Sequence, residues 1–463
     1  MPASPAPERR PVRRPIWILH VFVVGLALHN FVMAELYAAG VRGNALDVVS
    51  AWKDVLLLLG LVLVWRNHDF SFHLRPRPLD WLALGYATFV VVLAIVPQHV
   101  LGGGATHRGV VLAVRHDLLP VEAYFFGRGL DLTTRDVRRL GVTIIASASA
   151  VAAFGLIDVY LIPLSWWRHS GAPDWFKNQL GFSYKGLSNL PQNFVYNFGN
   201  NRIFRRLVSV FLSPLATSYM LITALLVATA WVARLRPRAL LWVPTVLLLY
   251  AGLLWTHSRS SYIALALGLV VFAVLVRNRR PWVLGAAALV VVTGFAFVKV
   301  YPHIGPKTSF TPSEIVAQKQ LANQPGAGAA VGGNGLEDAS ISEHWRSLRD
   351  GIKTVIRHPQ GFGPGNAGST AARTNVTIQA GESTYTELGV DAGLVGGLLF
   401  VFWSLGMLRR LFRCNAWISA SMVAMLALGL QTDIIGVPWV VCVLWPLAGW
   451  GVYHSVTEDR VTA

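Results

Sequence analysis

Stretches of about twenty apolar residues recur along the whole chain, and they limit its fold more than any other feature. Hydrophobic residues make up 54% of the 463 residues, charged residues make up 14%, and the mean hydropathy is +0.50. A soluble globular protein needs more polar side chains than this to cover its surface. Each apolar run is long enough to cross a bilayer as one α-helix. The sequence therefore predicts an all-α integral membrane protein.

The apolar runs predict about twelve transmembrane helices. Their approximate positions are 16–37, 46–65, 79–97, 109–127, 140–164, 207–233, 239–256, 261–276, 282–300, 389–408, 415–432 and 437–454. Charged side chains between Arg115 and Glu122 interrupt the fourth run. An even number of spans places both termini on the same side of the membrane.

The net charge of +17 would suggest nucleic-acid binding in a soluble protein, but here it follows the predicted membrane topology. Arginines cluster in alternate loops, at Arg66, Arg75 and Arg77; Arg128, Arg135, Arg138 and Arg139; Arg234, Arg236 and Arg238; Arg277, Arg279 and Arg280; and Arg409, Arg410 and Arg413. The short loops between them hold only Arg42, Arg108 and Arg259. Because cytoplasmic loops carry the excess of basic residues, we predict cytoplasmic termini and no nucleic-acid partner.

Two long loops are predicted on the outer side, at about 165–206 and 301–388. The larger one divides the chain into a first membrane region (1–300), the loop itself (301–388) and a second membrane region (389–463). Within this loop, residues 343–358 have the period of an amphipathic helix, with Trp345, Leu348, Ile352, Val355 and Ile356 on one face. A loop of this length on a membrane bundle is more often functional than not.

Arg206 and Arg259 lie at predicted outer ends of helices, where basic residues oppose the usual bias. One interpretation is that they bind an anionic lipid headgroup such as a diphosphate, because the guanidinium fork stays charged and contacts phosphate oxygens in pairs. The alternative is that they extend to ordinary phospholipid headgroups.

Charged residues also occur inside two spans, as Lys53 and Asp54 in the second and Arg115, His116 and Asp117 in the fourth. Such charges are costly in a bilayer and normally face the bundle interior or a wet cavity. Structural pairing of Lys53 with Asp117, or of Asp54 with Arg115, would explain them. Under either interpretation they predict a polar cavity that opens outward, with Lys53 and Arg115 as candidate substrate contacts.

Glu382 precedes the tenth span at the predicted water boundary, where a carboxylate could accept a proton from a hydroxyl as a general base. It could instead interact with the dipole of the following helix, and Glu387 and Asp391 compete with it for the role. The outer loops contain no D-x-D pair, and neither Cys414 nor Cys442 is placed as a ligand. We therefore predict no metal and no other cofactor.

The order of these features resembles the O-antigen ligase and O-antigen polymerase superfamily of membrane glycosyltransferases. The resemblance rests on Ser258-Arg259-Ser260, on Arg206 ahead of Phe211 and Pro214, on the loop helix, and on Gly361-x-Gly363-Pro364-Gly365. It also rests on Glu382-Ser383, nine residues, Gly393, two residues and Gly396. The ligases have histidine where this chain has Glu382.

The resemblance implies transfer of a glycan, without a metal, from undecaprenyl diphosphate to an acceptor hydroxyl at the periplasmic face of the bacterial inner membrane. Arg206 and Arg259 would hold the diphosphate, Glu382 would activate the acceptor, and Arg346 would be a secondary contact. Glutamate at this position favours a polymerase that extends lipid-linked repeats, for which a chain-length regulator would be a further partner. The alternatives are a ligase acting on lipid A-core and a transporter or flippase, although the related halves usual in transporters are not visible.

Overall fold

A computed structural model describes residues 15–67, 77–184, 186–197, 203–233, 240–322, 339–376 and 383–454. Its helices are numbered in chain order: α1 (Trp17–Ala38), α2 (Asn44–Ser50), α3 (Trp52–Asn67), α4 (Pro78–Ile95), α5 (Gln98–Leu101), α6 (His107–Arg128), α7 (Thr134–Leu161), α8 (Leu164–His169), α9 (Ala172–Asp174), α10 (Pro214–Val232), α11 (Val243–Trp255), α12 (Arg259–Leu275), α13 (Arg280–Ile304), α14 (Pro312–Ala322), α15 (Ala339–Arg357), α16 (Gly368–Arg373), α17 (Thr384–Leu411), α18 (Ala416–Leu428) and α19 (Pro438–His454). The strands are β1 (Val195–Asn197), β2 (Ile203–Arg205) and β3 (Lys307–Thr308).

Seven helical stretches of the described residues are long and apolar enough to cross a membrane. They are Trp17–Ala38, Asn44–Arg66, Pro78–Ile95, Thr134–Leu161, Pro214–Val232, Arg277–Ile304 and Thr384–Leu411. Shorter apolar helices occur at Leu240–Trp255, Arg259–Leu275, Ala416–Leu428 and Pro438–Tyr453. The fourth predicted span falls on α6, which is in neither set. The protein is thus mostly helical and multi-pass. The count of twelve transmembrane helices stays a prediction.

The centre of the bundle is α10, which is buried along most of its length from Pro214 to Ala230. Elsewhere small residues bring helices together, as where α6 crosses α19. A Cβ atom added to Gly127 would lie 1.9 Å from the carbonyl oxygen of Pro446, and one on Gly449 would lie 2.3 Å from that of Tyr124. Close backbone approach of this kind is typical of helix packing in membranes, where van der Waals contact replaces the hydrophobic effect.

The two long loops form one layer at one end of the helix bundle. Helices α10, α12 and α17 begin at this end of the bundle, which we call the loop end. In this layer β2 pairs antiparallel with β1 of the first loop and with β3 of the second. Arg168 also donates to both carboxylate oxygens of Glu314, at 2.9 and 2.7 Å. The prediction of an all-α fold did not include this small sheet, because strands of two or three residues depend on pairing across distant segments and have no local sequence period.

Helix α15 covers the segment for which an amphipathic helix was predicted. It crosses the first part of α17 at two glycines. A Cβ atom on Gly351 would lie 2.8 Å from the side chain of Thr386, and one on Gly389 would lie 2.7 Å from that of Val355. This contact fixes the helix of the larger loop against a helix of the bundle.

A break in α17 at Gly393 is the most unusual backbone feature of the fold. Gly393 has φ 70° and ψ 177°, a conformation that is essentially restricted to glycine. The segment that follows α15 satisfies the backbone groups around the break. Leu394 N donates to the carbonyl oxygen of Pro359 at 2.8 Å, and Phe362 N donates to that of Val390 at 2.7 Å.

The glycines that the sequence places after Pro359 shape this inserted segment. Gly361, Gly363 and Gly365 have φ values of 78°, 87° and 94°, which residues with a side chain rarely adopt. The turn ends on Asp391, whose carboxylate accepts hydrogen bonds from the backbone N–H groups of Gly365 (2.9 Å) and Asn366 (3.1 Å). The glycine turn and the Gly393 element are therefore two parts of one structural unit.

Replacing Gly393 with alanine should destabilise this unit, because the added Cβ would lie 2.7 Å from the carbonyl oxygen of Pro359 in a strained conformation. We expect a loss of about 3 kcal/mol and a lower midpoint of thermal unfolding in detergent. Gly285→Ala is the control, since no atom lies within 4 Å of a Cβ at that helical position. Equal midpoints for the two variants would contradict this account of the break.

Candidate active site

Arg206 and Arg259 meet at the link between α11 and α12. Arg206 Nε donates to the carbonyl oxygen of Thr256 at 2.9 Å, and the guanidinium of Arg259 donates to the hydroxyl of Tyr196 at 3.2 Å. The ring of Tyr196 lies against that of His257, with 4.1 Å between the centroids. The link and the aromatic pair thus hold two arginines, from segments distant in sequence, in one cluster.

The electrostatics of this cluster suit an anion. Burial lowers the pKa of Arg206 to about 10, and the nearby charge of Arg259 adds to this effect. Arg206 therefore remains charged at neutral pH. Burial, followed by the two arginines, lowers the pKa of His257 to about 3, so its imidazole is neutral. The result is a half-buried pair of positive charges beside a neutral ring, in surroundings where charges are screened less than in water.

Buried hydroxyl groups connect the start of α12 with the start of α17. The hydroxyls of Ser261 and Ser218 are 2.7 Å apart. The neighbouring Tyr219 places its hydroxyl 2.5 Å from that of Thr432. Thr384, the first residue of α17, donates from its hydroxyl to the carbonyl oxygen of Thr432 at 3.0 Å. The link that carries Arg259 and the beginning of α17 therefore belong to one hydrogen-bonded region.

Glu382, the predicted general base, lies outside the described residues. The next residue, Ser383, is buried, and its hydroxyl donates to the carbonyl oxygen of Gly429 at 3.0 Å. The chain is therefore anchored at the loop end directly after the glutamate. The role of Glu382 stays a prediction.

The two carboxylates that compete with Glu382 occupy distinct positions. Asp391 accepts the two backbone hydrogen bonds of the glycine turn, which is a structural role. Glu387 is 7% exposed, and its carboxylate packs against Gly368. A Cβ atom added to Gly368 would lie 1.9 Å from a carboxylate oxygen of Glu387. Sequence reasoning could not separate these carboxylates, because all of them fall within one short segment.

A histidine that lies between two aspartates connects α6 to the loop that precedes α19. His116 Nδ1 lies 2.8 Å from a carboxylate oxygen of Asp117, and Nε2 lies 2.9 Å from one of Asp433. Since an ionised carboxylate can only accept, this geometry fits an imidazolium that donates from both nitrogens. Burial raises the pKa of Asp433, but His116 and the N–H groups of Gly436 and Ile435 more than offset this, so the pKa lies below its usual value.

Asp433 was missed at the sequence level, although a lone carboxylate in a short link between apolar helices could have been noted. Within the ranges that the structure describes, no three His, Cys, Asp or Glu side chains are grouped as a metal site requires. The prediction of a metal-independent protein stays a prediction.

The remaining charges predicted inside the second and fourth spans, Lys53, Asp54 and Arg115, have contacts within the two spans. Arg115 makes a two-pronged contact with Asp54, in which Nε donates at 2.8 Å. Lys53 Nζ donates to the carbonyl oxygen of Ser50 at 2.9 Å. Of the two pairings considered from the sequence, Asp54 with Arg115 is observed, and Asp117 contacts His116 instead. Their proposed contact with substrate stays a prediction.

Arg346 is exposed on α15. It shares the exposed surface of this helix with Arg349 and Lys353. This places it on the larger loop at a position open to solvent, on a different element from the arginine pair. Its role as a secondary contact stays a prediction.

Replacing His116 with asparagine should leave the buried Asp117 and the half-buried Asp433 without the cation between them. We expect a loss of about 3 kcal/mol, as is typical when one partner of a buried ion pair is removed. The measurement is the midpoint of thermal unfolding. The double variant His116→Asn/Asp433→Asn should recover part of the loss, because one unpaired charge is removed. Strictly additive losses would contradict the charge-based explanation.

A comparison with known protein families identifies the central part of the chain. The sequence model of the O-antigen ligase family matches residues 244–401, from α11 into α17. The matched segment contains Arg259, Arg346 and Glu382 but not Arg206. No curated protein matches the chain. The match confirms the resemblance to the superfamily: residues 244–401 of this multi-pass membrane protein are similar to the O-antigen ligase family.

Proposed function

We propose that the protein polymerises lipid-linked oligosaccharide repeats, moving a glycan from undecaprenyl diphosphate to an acceptor hydroxyl. The reaction takes place at the loop end, on the periplasmic side of the bacterial inner membrane. The observation that carries this proposal is the convergence of Arg206 and Arg259 at the link between α11 and α12. Buried hydroxyl groups join that link to the start of α17, directly after Glu382.

In the proposed donor complex the diphosphate lies beside the two guanidinium groups. Arg206 is oriented by its hydrogen bond to Thr256, and Arg259 is oriented by Tyr196. Both side chains are half-buried, which strengthens their attraction for phosphate oxygens relative to bulk water. Guanidinium suits this role because it stays charged and presents parallel N–H groups.

In the proposed reaction Glu382 accepts the proton of the acceptor hydroxyl. The acceptor oxygen then forms a bond with the anomeric carbon of the donor glycan, and the bond from that carbon to the diphosphate oxygen breaks. The undecaprenyl diphosphate leaves with the bonding electron pair, and Arg206 and Arg259 stabilise its developing negative charge. Orientation by the surrounding loops supplies the remaining part of the rate enhancement.

The acceptor distinguishes two versions of this function. Glutamate at position 382, where the ligases have histidine, favours a second lipid-linked repeat as acceptor and hence chain growth. The alternative is a ligase that joins the glycan to lipid A-core, and the match to the O-antigen ligase family supports a glycosyltransferase of either kind. A transporter or flippase is less favoured, because the matched segment belongs to a family described as a ligase.

Replacing Arg259 with alanine should weaken binding of the lipid-linked donor by about ten-fold to hundred-fold, the range expected for a lost charge-assisted contact. The affinity of purified protein for undecaprenyl diphosphate measures this. Arg42→Ala is the matched control, because Arg42 is a loop arginine that packs on Tyr37 instead. Unchanged affinity in Arg259→Ala would count against the diphosphate site.

Replacing Glu382 with glutamine should lower kcat by about 10²-fold to 10⁴-fold, the usual contribution of a general base, while donor affinity is retained. The readout is lengthening of lipid-linked repeats in membranes that contain no lipid A-core. Asp350→Asn is the control, since Asp350 is an exposed carboxylate of the same loop, paired with Lys353. Full activity of Glu382→Gln would remove the residue from the mechanism, and no chain growth by the wild type without lipid A-core would favour the ligase.

A further inference from the structure

Helix α15 carries an exposed apolar stripe along its second half. Trp345 is 64% exposed, Ile352 is 46% exposed and Ile356 is 66% exposed. Because an α-helix turns by about 100° per residue, these three positions lie within about 40° of one another around the helix axis. The stripe is therefore a continuous apolar surface about three turns long.

A basic stripe lies beside the apolar stripe on the same helix. Arg349 lies about 40° around the axis from Trp345, and Lys353 and Arg357 each lie about 40° further on. All three basic side chains are exposed. Positions 345 to 357 hold four basic residues and one acidic residue, Asp350, so the net charge of this stretch is +3. An apolar surface is thus bordered along one edge by cations.

The apolar stripe of α15 continues onto the exposed side of α12. The exposed apolar side chains of α12 recur at helical spacing and are Ile263 (52%), Leu267 (38%), Val270 (39%) and Val274 (56%). In a multi-pass membrane protein a surface of this kind faces lipid. Trp345 and Leu348 line one apolar groove with Ile263 and Leu267, between α12, α15 and the end of α18.

This groove fixes the level of α15 relative to the bundle. Helix α12 begins at Arg259, so Ile263 lies about one turn from the loop end. Trp345 therefore lies where the lipid-facing surface of α12 meets the loop end. A tryptophan indole is one of the side chains enriched at the boundary between hydrocarbon and water.

We propose that α15 lies on the bilayer surface at the loop end and that its basic stripe binds anionic phospholipid. The apolar stripe enters the boundary between headgroups and hydrocarbon, and the basic stripe then lies at the level of the lipid phosphates. A face with tryptophan and branched aliphatic residues beside a face rich in Lys and Arg is the pattern of helices that bind anionic membrane surfaces.

The apolar stripe favours a lipid surface over an acidic glycan or an acidic protein segment. Either of those partners would pair with the cations and leave Trp345, Ile352 and Ile356 in water. A bilayer covers both stripes at once, and removing large apolar side chains from water is favourable in itself. The occupant we assign is therefore the headgroup region of an anionic phospholipid.

The bound lipid would stabilise the position of the larger loop. Helix α15 crosses the first part of α17 at Gly351 and Gly389. A helix held at the membrane surface therefore also holds the beginning of α17. This role belongs to the surrounding bilayer and is independent of the glycan that the protein is proposed to transfer.

The test uses the full-length protein in nanodiscs with a fixed mixture of phosphatidylcholine and phosphatidylglycerol. A fluorescent amino acid is introduced at Ile356, and brominated acyl chains on one lipid or the other quench it on contact. The same amino acid at Asp350 is the matched control, since this exposed position lies about 120° away around the helix. We expect quenching at 356 to exceed that at 350 by about two-fold.

The charge of the lipid is tested at the same position. Per mole of brominated lipid, phosphatidylglycerol should quench position 356 about three-fold more than phosphatidylcholine. The preference should disappear in Arg349→Gln/Arg357→Gln and in about 1 M salt, where the Debye length is about 3 Å, while quenching by phosphatidylcholine persists. Lys307→Gln/Lys319→Gln should keep the preference, because it removes two exposed cations of the same loop outside α15.

Equal quenching at positions 356 and 350 would overturn the placement of α15 on the bilayer and assign its stripes to a glycan or a protein. Quenching at 356 without a preference for phosphatidylglycerol would overturn the role of the basic stripe. A preference that survives in Arg349→Gln/Arg357→Gln would do the same. None of these measurements requires glycan transfer, so the inference and the proposed function fail separately.

Discussion

The fold depends on how backbone hydrogen bonds are satisfied where α17 is broken. A helix near hydrocarbon cannot leave N–H and C=O groups unpaired without a cost of several kcal/mol each. At Gly393 this requirement is met by the inserted turn, through Leu394 N to Pro359 and Phe362 N to Val390. The turn also determines where α15 ends and how the first part of α17 is oriented. The break therefore positions Ser383, at the start of α17, and helix α15. Both belong to the larger loop and contribute to the proposed site.

The same constraint explains the charges at the loop end. Ionisable groups are tolerated at the edge of a membrane when each has a partner, and Asp54 with Arg115 and His116 between two aspartates meet this condition. At the link between α11 and α12, Arg206 and Arg259 donate to a carbonyl and a hydroxyl oxygen, and these contacts orient the two guanidinium groups.

Much of the fold was predictable from local patterns, because hydrophobic run length and helical period are properties of neighbouring residues. The apolar runs predicted the helical membrane character, and the period of residues 343–358 predicted the helix now seen as α15. Of the candidate site, sequence reasoning identified Arg206 and Arg259 but gave Tyr196 and Asp433 no role. Tyr196 and Asp433 become informative only through contacts with residues about 60 and 320 positions away in the chain.

The sequence by itself determined that this chain is a helical membrane protein, because hydrophobicity is intrinsic to the residues. Only the tertiary structure decided that the glycine turn after Pro359 and the break at Gly393 form one unit, that the two long loops share a sheet, and that Arg206 lies beside Arg259. It alone brought α12, α15 and the end of α18 around one groove. These are packing relations between distant segments, and packing in a bilayer depends on close complementary surfaces that no local pattern specifies.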